Sequence, residues 1–239
     1  MRTRSLLPAL LFALLVAVPA SRSLGAEPAL RPPADRKILV AFVVTQDATL
    51  IDFAGPWEVF QDVFVRERGG SMADRMPFEL VTVGNSRNGV QLMSTMSRPG
   101  MTIVPDYAFA DAPVPDVIVV GAQPGNPELI AWLRAMRAKA SVILGTCTGA
   151  FLLAEAGLLD GKPATTHAGY YDGLAAKHPR VQVRRDVDWV RADEVVFTAG
   201  GGGITGIDLA LHVVELYFGR PVAKSVADYL WYGRTGWQG

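Results

Sequence analysis

The sequence predicts a doubly wound α/β domain, a mostly parallel sheet with helices packed on both faces. Three observations carry that prediction. Residues 37–44, 78–83, 116–120 and 142–144 are short, nearly unbroken apolar runs, which suits strands covered on both sides. Stretches with helical spacing separate these runs. The last run leads through Gly145 and a tight turn directly into a helix.

Taken in order, the first strand is residues 37–44. Gly55-Pro56 then opens a helix to about residue 68, because proline in a first turn gives up a donor that has no partner there anyway. Residues 78–83 form the second strand, and residues 90–93 and 101–104 a small extra β element. Residues 128–140 are amphipathic, with Leu129, Trp132, Leu133 and Met136 on one stripe. The elbow helix starts near Thr148, and Gly157 is placed as its left-handed cap. Residues 164–166 read as a short strand ending at His167, and residues 181–183, 188–190 and 194–198 as a β excursion. The run Gly200-Gly-Gly-Gly-Ile-Thr-Gly206 leads into a helix over residues 207–218, and Pro221 starts a last helix towards Tyr232. No internal repeat is present.

Residues 1–26 have a different character. Arg2 and Arg4 precede an apolar run from Leu6 to Val18, followed by small residues at Ala20 and Ala26. This is the pattern of a secretory signal peptide, cleaved after Ala26 or Ala20, so the chain is expected to be exported, periplasmic or secreted. Its apolar core is too short for a comfortable membrane span. Pro-rich residues 27–36 are expected to be a loose tether, and residues 37–239 a single domain. The 23 basic and 23 acidic residues balance, and removing the leader takes three arginines and no acid. A slightly acidic mature chain has no electrostatic case for nucleic acid. A lone cysteine cannot close an internal disulfide, so the fold has to hold without one.

That cysteine, Cys147, sits in the turn at the start of the elbow helix, where amide hydrogens and the macrodipole are expected to depress its pKa. A strand, a sharp turn carrying a nucleophile and a helix make a nucleophile elbow. Ligands of an open α/β sheet bind at the carboxyl ends of its strands. Besides Cys147, the loops expected there carry Asp52, His167 and Gly121-Ala122-Gln123. Asp52 suits an N-cap on residue type alone, and His167 suits a structural residue that closes a strand. Trp57, Tyr170 and Tyr171 are candidates for a pocket wall. The glycine run lacks the Lys-Ser/Thr of a phosphate loop, and no Gly-x-Gly-x-x-Gly turn follows the first strand. It reads instead as a place where backbone closely approaches the elbow. Three scattered histidines and one cysteine lack metal-ligand spacing, so no metal is expected.

The stretch Cys147-Thr-Gly-Ala-Phe-Leu-Leu-Ala-Glu-Ala-Gly-Leu-Leu-Asp-Gly-Lys-Pro-Ala-Thr-Thr-His167 resembles the DJ-1/PfpI superfamily of class I glutamine-amidotransferase-like domains. Within it, the likeness is to isonitrile hydratases and to the sensor domain of AraC-type regulators, over about residues 37–230. The resemblance implies a flavodoxin-like three-layer α/β/α fold and a homodimer, with no cofactor. The sequence Ile51-Asp52-Phe53-Ala54-Gly55-Pro56 matches the motif that puts an acid beside the thiol, so the resemblance makes Asp52 an acid/base partner of Cys147. It makes Ala122 and Thr148 backbone donors to an oxyanion-type pocket, with Gly121, Gln123 and Ala168 near the substrate, and it makes His167 as much a catalytic partner of the thiol as a strand-closing residue. Thr148 stands where PfpI-type proteases have histidine, which argues against proteolysis. Ala168 replaces a frequent tryptophan, and no helix-turn-helix stretch follows the domain, unlike the regulators.

The expected function is water addition to an isocyanide through a covalent Cys147 adduct, giving an N-substituted formamide. The alternatives are an exported ligand- or redox-sensing module and, more weakly, a glyoxalase-, deglycase- or amidase-like hydrolase. The expected partner is a small molecule, and no membrane span is expected after leader removal.

Overall fold

The computed structural model describes residues 30–94 and 100–238. The expected signal segment lies outside the described residues. In chain order the strands are β1 (Ile38–Val43), β2 (Phe78–Gly84), β3 (Val90–Gln91), β4 (Thr102–Ile103), β5 (Tyr107–Ala108), β6 (Val117–Val120), β7 (Val142–Thr146), β8 (Pro163–Ala164), β9 (Gln182–Val183), β10 (Trp189–Arg191) and β11 (Val196–Ala199). The helices are α1 (Leu50–Gln61), α2 (Met72–Arg75), α3 (Pro127–Met136), α4 (Gly149–Glu155), α5 (Tyr171–Lys177), α6 (Ile204–Phe218) and α7 (Arg220–Tyr229).

Seven strands form the main sheet in the order β10-β11-β7-β6-β1-β2-β5. Every neighbouring pair is parallel except β10 with β11. β3 with β4 and β8 with β9 make two separate small ladders. The doubly wound architecture is therefore the observed one.

Alternation along β1 divides the core in two. Ile38, Val40 and Phe42 enter one apolar cluster with α1, α6 and α7, which includes Phe60, Leu209, Val213 and Val226. Leu39, Ala41 and Val43 enter another with α3 and α4, which includes Leu129, Leu133 and Leu153. A sheet covered on both sides has no use for polar alternation, which explains the unbroken apolar runs in the sequence. Cutting one of these fully buried leucines to alanine costs roughly 2 to 5 kcal/mol.

Several expectations need correction. Residues 30–36 are laid against the fold: the Leu30 amide donates to the Leu216 carbonyl, and Arg36 pairs with Asp116. β11 belongs to the main sheet, between β10 and β7 and parallel to β7, and is no part of an excursion. α1 begins at Leu50, five residues before Gly55-Pro56, and ends at Gln61. The short edge strand β5 has too little sequence to show a period.

Candidate active site

From β1 the chain goes to β2 on one side, while β6, β7 and β11 extend the sheet on the other. At that reversal the carboxyl ends of β1 and β6 diverge and leave a crevice. Five crossovers deliver residues to it: Asp52 in α1 after β1, Ala122 after β6, Cys147 after β7, Thr166 after β8 and Gly203 after β11.

Cys147 has φ +55°, a left-handed backbone in a residue that has a side chain. Such a turn persists only where its surroundings over-determine it. Here the Cys147 amide donates to the Ala199 carbonyl (3.0 Å), and the Cys147 carbonyl accepts from Thr166 Oγ1 (2.9 Å). Thr148 follows as the N-cap residue of α4. The nucleophile-elbow geometry expected from sequence is present.

Asp52 lies in the first turn of α1, fully buried. Its Oδ2 accepts from the Ala122 amide (2.8 Å), while Oδ1 has no hydrogen-bond donor placed on it among the described residues. Two glycines make room for this carboxyl. A Cβ on Gly121 would stand 2.7 Å from Asp52 Cβ, and one on Gly203, at φ +85°, would stand 2.8 Å from Oδ1. The backbone approach expected of the glycine run is thus made to Asp52 through Gly203. Because α1 starts early, Pro56 is interior to it and cannot donate to the Asp52 carbonyl four residues back. Thr146 Oγ1 supplies that donor instead (3.0 Å).

The electrostatics overturn one expectation. Burial, joined by the charge of Asp52, pushes the Cys147 thiol up to about 12, against the pull of the Thr148 amide. Burial also raises Asp52, opposed by the Ala122 amide, the Cys147 thiol and the charge of His167. Two buried acids side by side do not both ionise, so the pair keeps a proton.

The remaining candidates divide. The Ala122 amide is directed at Asp52 Oδ2, so its expected oxyanion role is corrected to that of an anchor for the carboxylate. The Thr148 amide is directed at the sulfur. Gln123 turns its side chain inward: Oε1 accepts from the Thr45 amide and hydroxyl, and Nε2 donates to the Val43 carbonyl. His167 is half-buried, and its Nδ1 accepts from the Gly169 amide. Thr148, Gln123 and Tyr170 line a cavity of about 270 Å³ with Phe151, Leu152 and the Glu155–Lys177 pair. Neither Trp57 nor Ala168 lines it; Trp57 packs on Phe42 (4.8 Å between ring centres) and donates to Gln61. Gly121 serves Asp52 rather than this cavity. Phe151 is a wall residue that sequence reading missed, although its place one turn after Cys147 was a usable signal.

Comparison with known proteins matches the model of the DJ-1/PfpI family to residues 37–216. The chain belongs to the DJ-1/PfpI family. It is 38% identical over 148 residues to an isonitrile hydratase of Pseudomonas putida, covering 59% of this chain and 62% of that one. It is 30% identical over 140 residues to the HTH-type transcriptional regulator CdhR of Pseudomonas aeruginosa, covering 56% of this chain and 41% of the regulator. The matches therefore span less than two thirds of these curated relatives. A crystal structure of a THiJ/PfpI family protein from Pseudomonas syringae superposes with a TM-score of 0.64 at 24% identity, covering 83% of this chain and 76% of that one. That likeness shows the shared fold.

In this DJ-1/PfpI domain the crevice pairs a soft nucleophile with a carboxyl able to hold or release a proton. Among the described residues, no group of three His, Cys, Asp or Glu side chains is gathered to hold a metal ion, and no helix is long and apolar enough to cross a membrane.

Proposed function

We propose that this chain adds water to an isocyanide, R–N≡C, and releases the N-substituted formamide. The observation that carries the reading is the buried Asp52 carboxyl set against a Cys147 thiol that is held in a left-handed turn. The hydratase relative supplies the reaction class.

The thiol does not need to ionise in advance. As the sulfur attacks the terminal carbon, Asp52 takes the thiol proton and passes it to that carbon, giving the thioimidate R–N=CH–S–Cys147. Water then adds to the same carbon, and Asp52 moves the water proton to the nitrogen. The C–S bond breaks, the hydroxyl proton returns through Asp52 to the sulfur, and R–NH–CHO leaves. A carboxyl raised by burial suits both halves of this cycle, because it takes up a proton more readily than an ordinary carboxyl and can still yield it. An exported location belongs to the same proposal, supported by the arginine-then-apolar pattern of residues 1–26.

The test is formamide production by the purified chain from alkyl and aryl isocyanides, followed by NMR, with Cys147→Ala and Asp52→Asn as controls. Turnover lost in both variants is the expected result. No formamide from any isocyanide, or turnover untouched by Cys147→Ala, sinks the reading. The regulator relative favours a second reading, a ligand-sensing domain. It would bind an isocyanide or other small molecule, seen as a thermal shift, with no product.

A further inference from the structure

The proposed cycle leaves one feature beside the thiol unused: Thr166, a fully buried residue at the exit of β8. Its hydroxyl donates to the Cys147 carbonyl over 2.9 Å and 19 residues of chain. No catalytic group needs that hydroxyl, and a fully buried polar side chain calls for an explanation. The neighbouring Thr165 amide donates to Thr198 Oγ1 (2.8 Å), which pins the same exit to the end of β11. Ala199, next after Thr198, accepts from the Cys147 amide. Both main-chain polar groups of Cys147 are therefore held, one by β11 directly and one by a segment tied to β11.

The geometry points to Thr166 as a positioning residue, whose hydroxyl holds the Cys147 peptide in its left-handed turn and so aims Sγ at Asp52. The turn is unfavourable for a residue with a Cβ. A single hydrogen bond to a buried carbonyl can offset that. Without it the backbone of Cys147 can relax towards φ < 0 and rotate the thiol away from the carboxyl. Thr166 acts through the backbone and touches no reacting atom. The inference rests on Cys147 being the nucleophile, but its test reads the thiol itself and needs no substrate.

The test uses the whole chain with Thr166→Val, which keeps the shape and loses the donor, and Thr166→Ser, which keeps the donor. The rate of Cys147 alkylation by iodoacetamide is followed from pH 6 to 10, with circular dichroism to check the fold. The wild type should climb through the whole range without a plateau, because burial and the Asp52 charge both hold the proton on its thiol. In T166V the thiol, moved from Asp52, should bend over at lower pH, towards the ~8.5 of an ordinary cysteine. T166S should follow the wild type. On an isocyanide substrate, T166V should lower kcat by about 100-fold with little change in KM. If T166V does not fold, Thr166→Ala against T166S makes the same comparison, since those two differ by one hydroxyl. A profile for the donor-less variant that superimposes on the wild type overturns the inference, as does a T166S profile displaced as far as that variant's. Absence of isocyanide turnover removes only the kcat arm and counts against the hydratase reading.

Discussion

Thr146 Oγ1 donates to the main-chain carbonyl of Asp52 over 3.0 Å, and that carbonyl is free to accept because Pro56 has no N–H to offer it. The same hydroxyl lies 3.4 Å from the Val120 carbonyl. One buried side chain thus joins the first turn of α1, the end of β6 and the residue just before Cys147. The acid and the thiol are held in one frame although 95 residues of chain separate them.

Replacing Thr146 with valine should therefore lower stability by about 1 to 3 kcal/mol, since it removes a donor from a buried carbonyl. Turnover should fall at least about 10-fold as Asp52 shifts. Pro56→Ala restores an amide able to meet the Asp52 carbonyl. The double variant should then lose less than Thr146→Val alone loses in the native background. Urea unfolding of the four proteins gives the coupling, and simple additivity of the two changes contradicts the account.

Gly203→Ala should cost roughly 1 kcal/mol for its left-handed backbone alone. Its Cβ, 2.8 Å from Asp52 Oδ1, also closes the carboxylate's free side. Activity should be nearly abolished while the fold survives. A folded variant with wild-type kcat would show that Oδ1 takes no part.

Asp52 also predicts a pH dependence. Burial holds its carboxyl above the ordinary range, so the folded chain binds that proton more tightly than the unfolded one. The stability this supplies is complete below the unfolded pKa and is lost as pH rises through the raised folded value. Asp52→Asn escapes that loss. Its stability relative to the wild type should rise across the same window, in urea melts between pH 4 and 8, even as turnover disappears. Parallel pH curves for the two proteins would contradict the assignment.

Asp193, between β10 and β11, behaves in the opposite sense. Burial alone would raise it, but the Lys162 ammonium, the Val195 and Val196 amides and Arg137 together hold it down to about 2. This contribution is present above the unfolded carboxylate pKa and fades as pH falls towards 2. Asp193→Asn should cost on the order of 2 kcal/mol at pH 7, and less as the medium is acidified. A cost that stays constant down to pH 2 would mean the carboxylate charge is not what matters.

The local parts of this site were legible in the chain. Val142 to Thr146, Cys147 and the helix after Thr148 are contiguous, so apolar run, turn and helix could be read together. The start of α1 was not legible. Gly55-Pro56 has the look of a helix opening, and the Thr146 hydroxyl, from the end of β7, is what makes an interior proline tolerable. The acidity of Cys147 was misjudged for a similar reason. Helix position is a local property, whereas burial and the Asp52 charge come from residues far along the chain. The Ala122 amide was assigned to a substrate oxygen because nothing near it in sequence reveals that Asp52 Oδ2 already occupies it. β11 looked like part of an excursion because its four residues, Val196–Ala199, carry no sign of their parallel partner β7.

The weakened acidity of Cys147 has a consequence for the life of the chain before it folds. An unfolded copy carries a thiol of ordinary acidity, with its thiolate open to any oxidant or alkylating agent. Folding withdraws that sulfur from indiscriminate chemistry, because burial and the Asp52 charge both oppose the thiolate. Damage to this sulfur should accordingly fall mostly on newly made or unfolding molecules. Assembled molecules keep their one reactive atom in reserve.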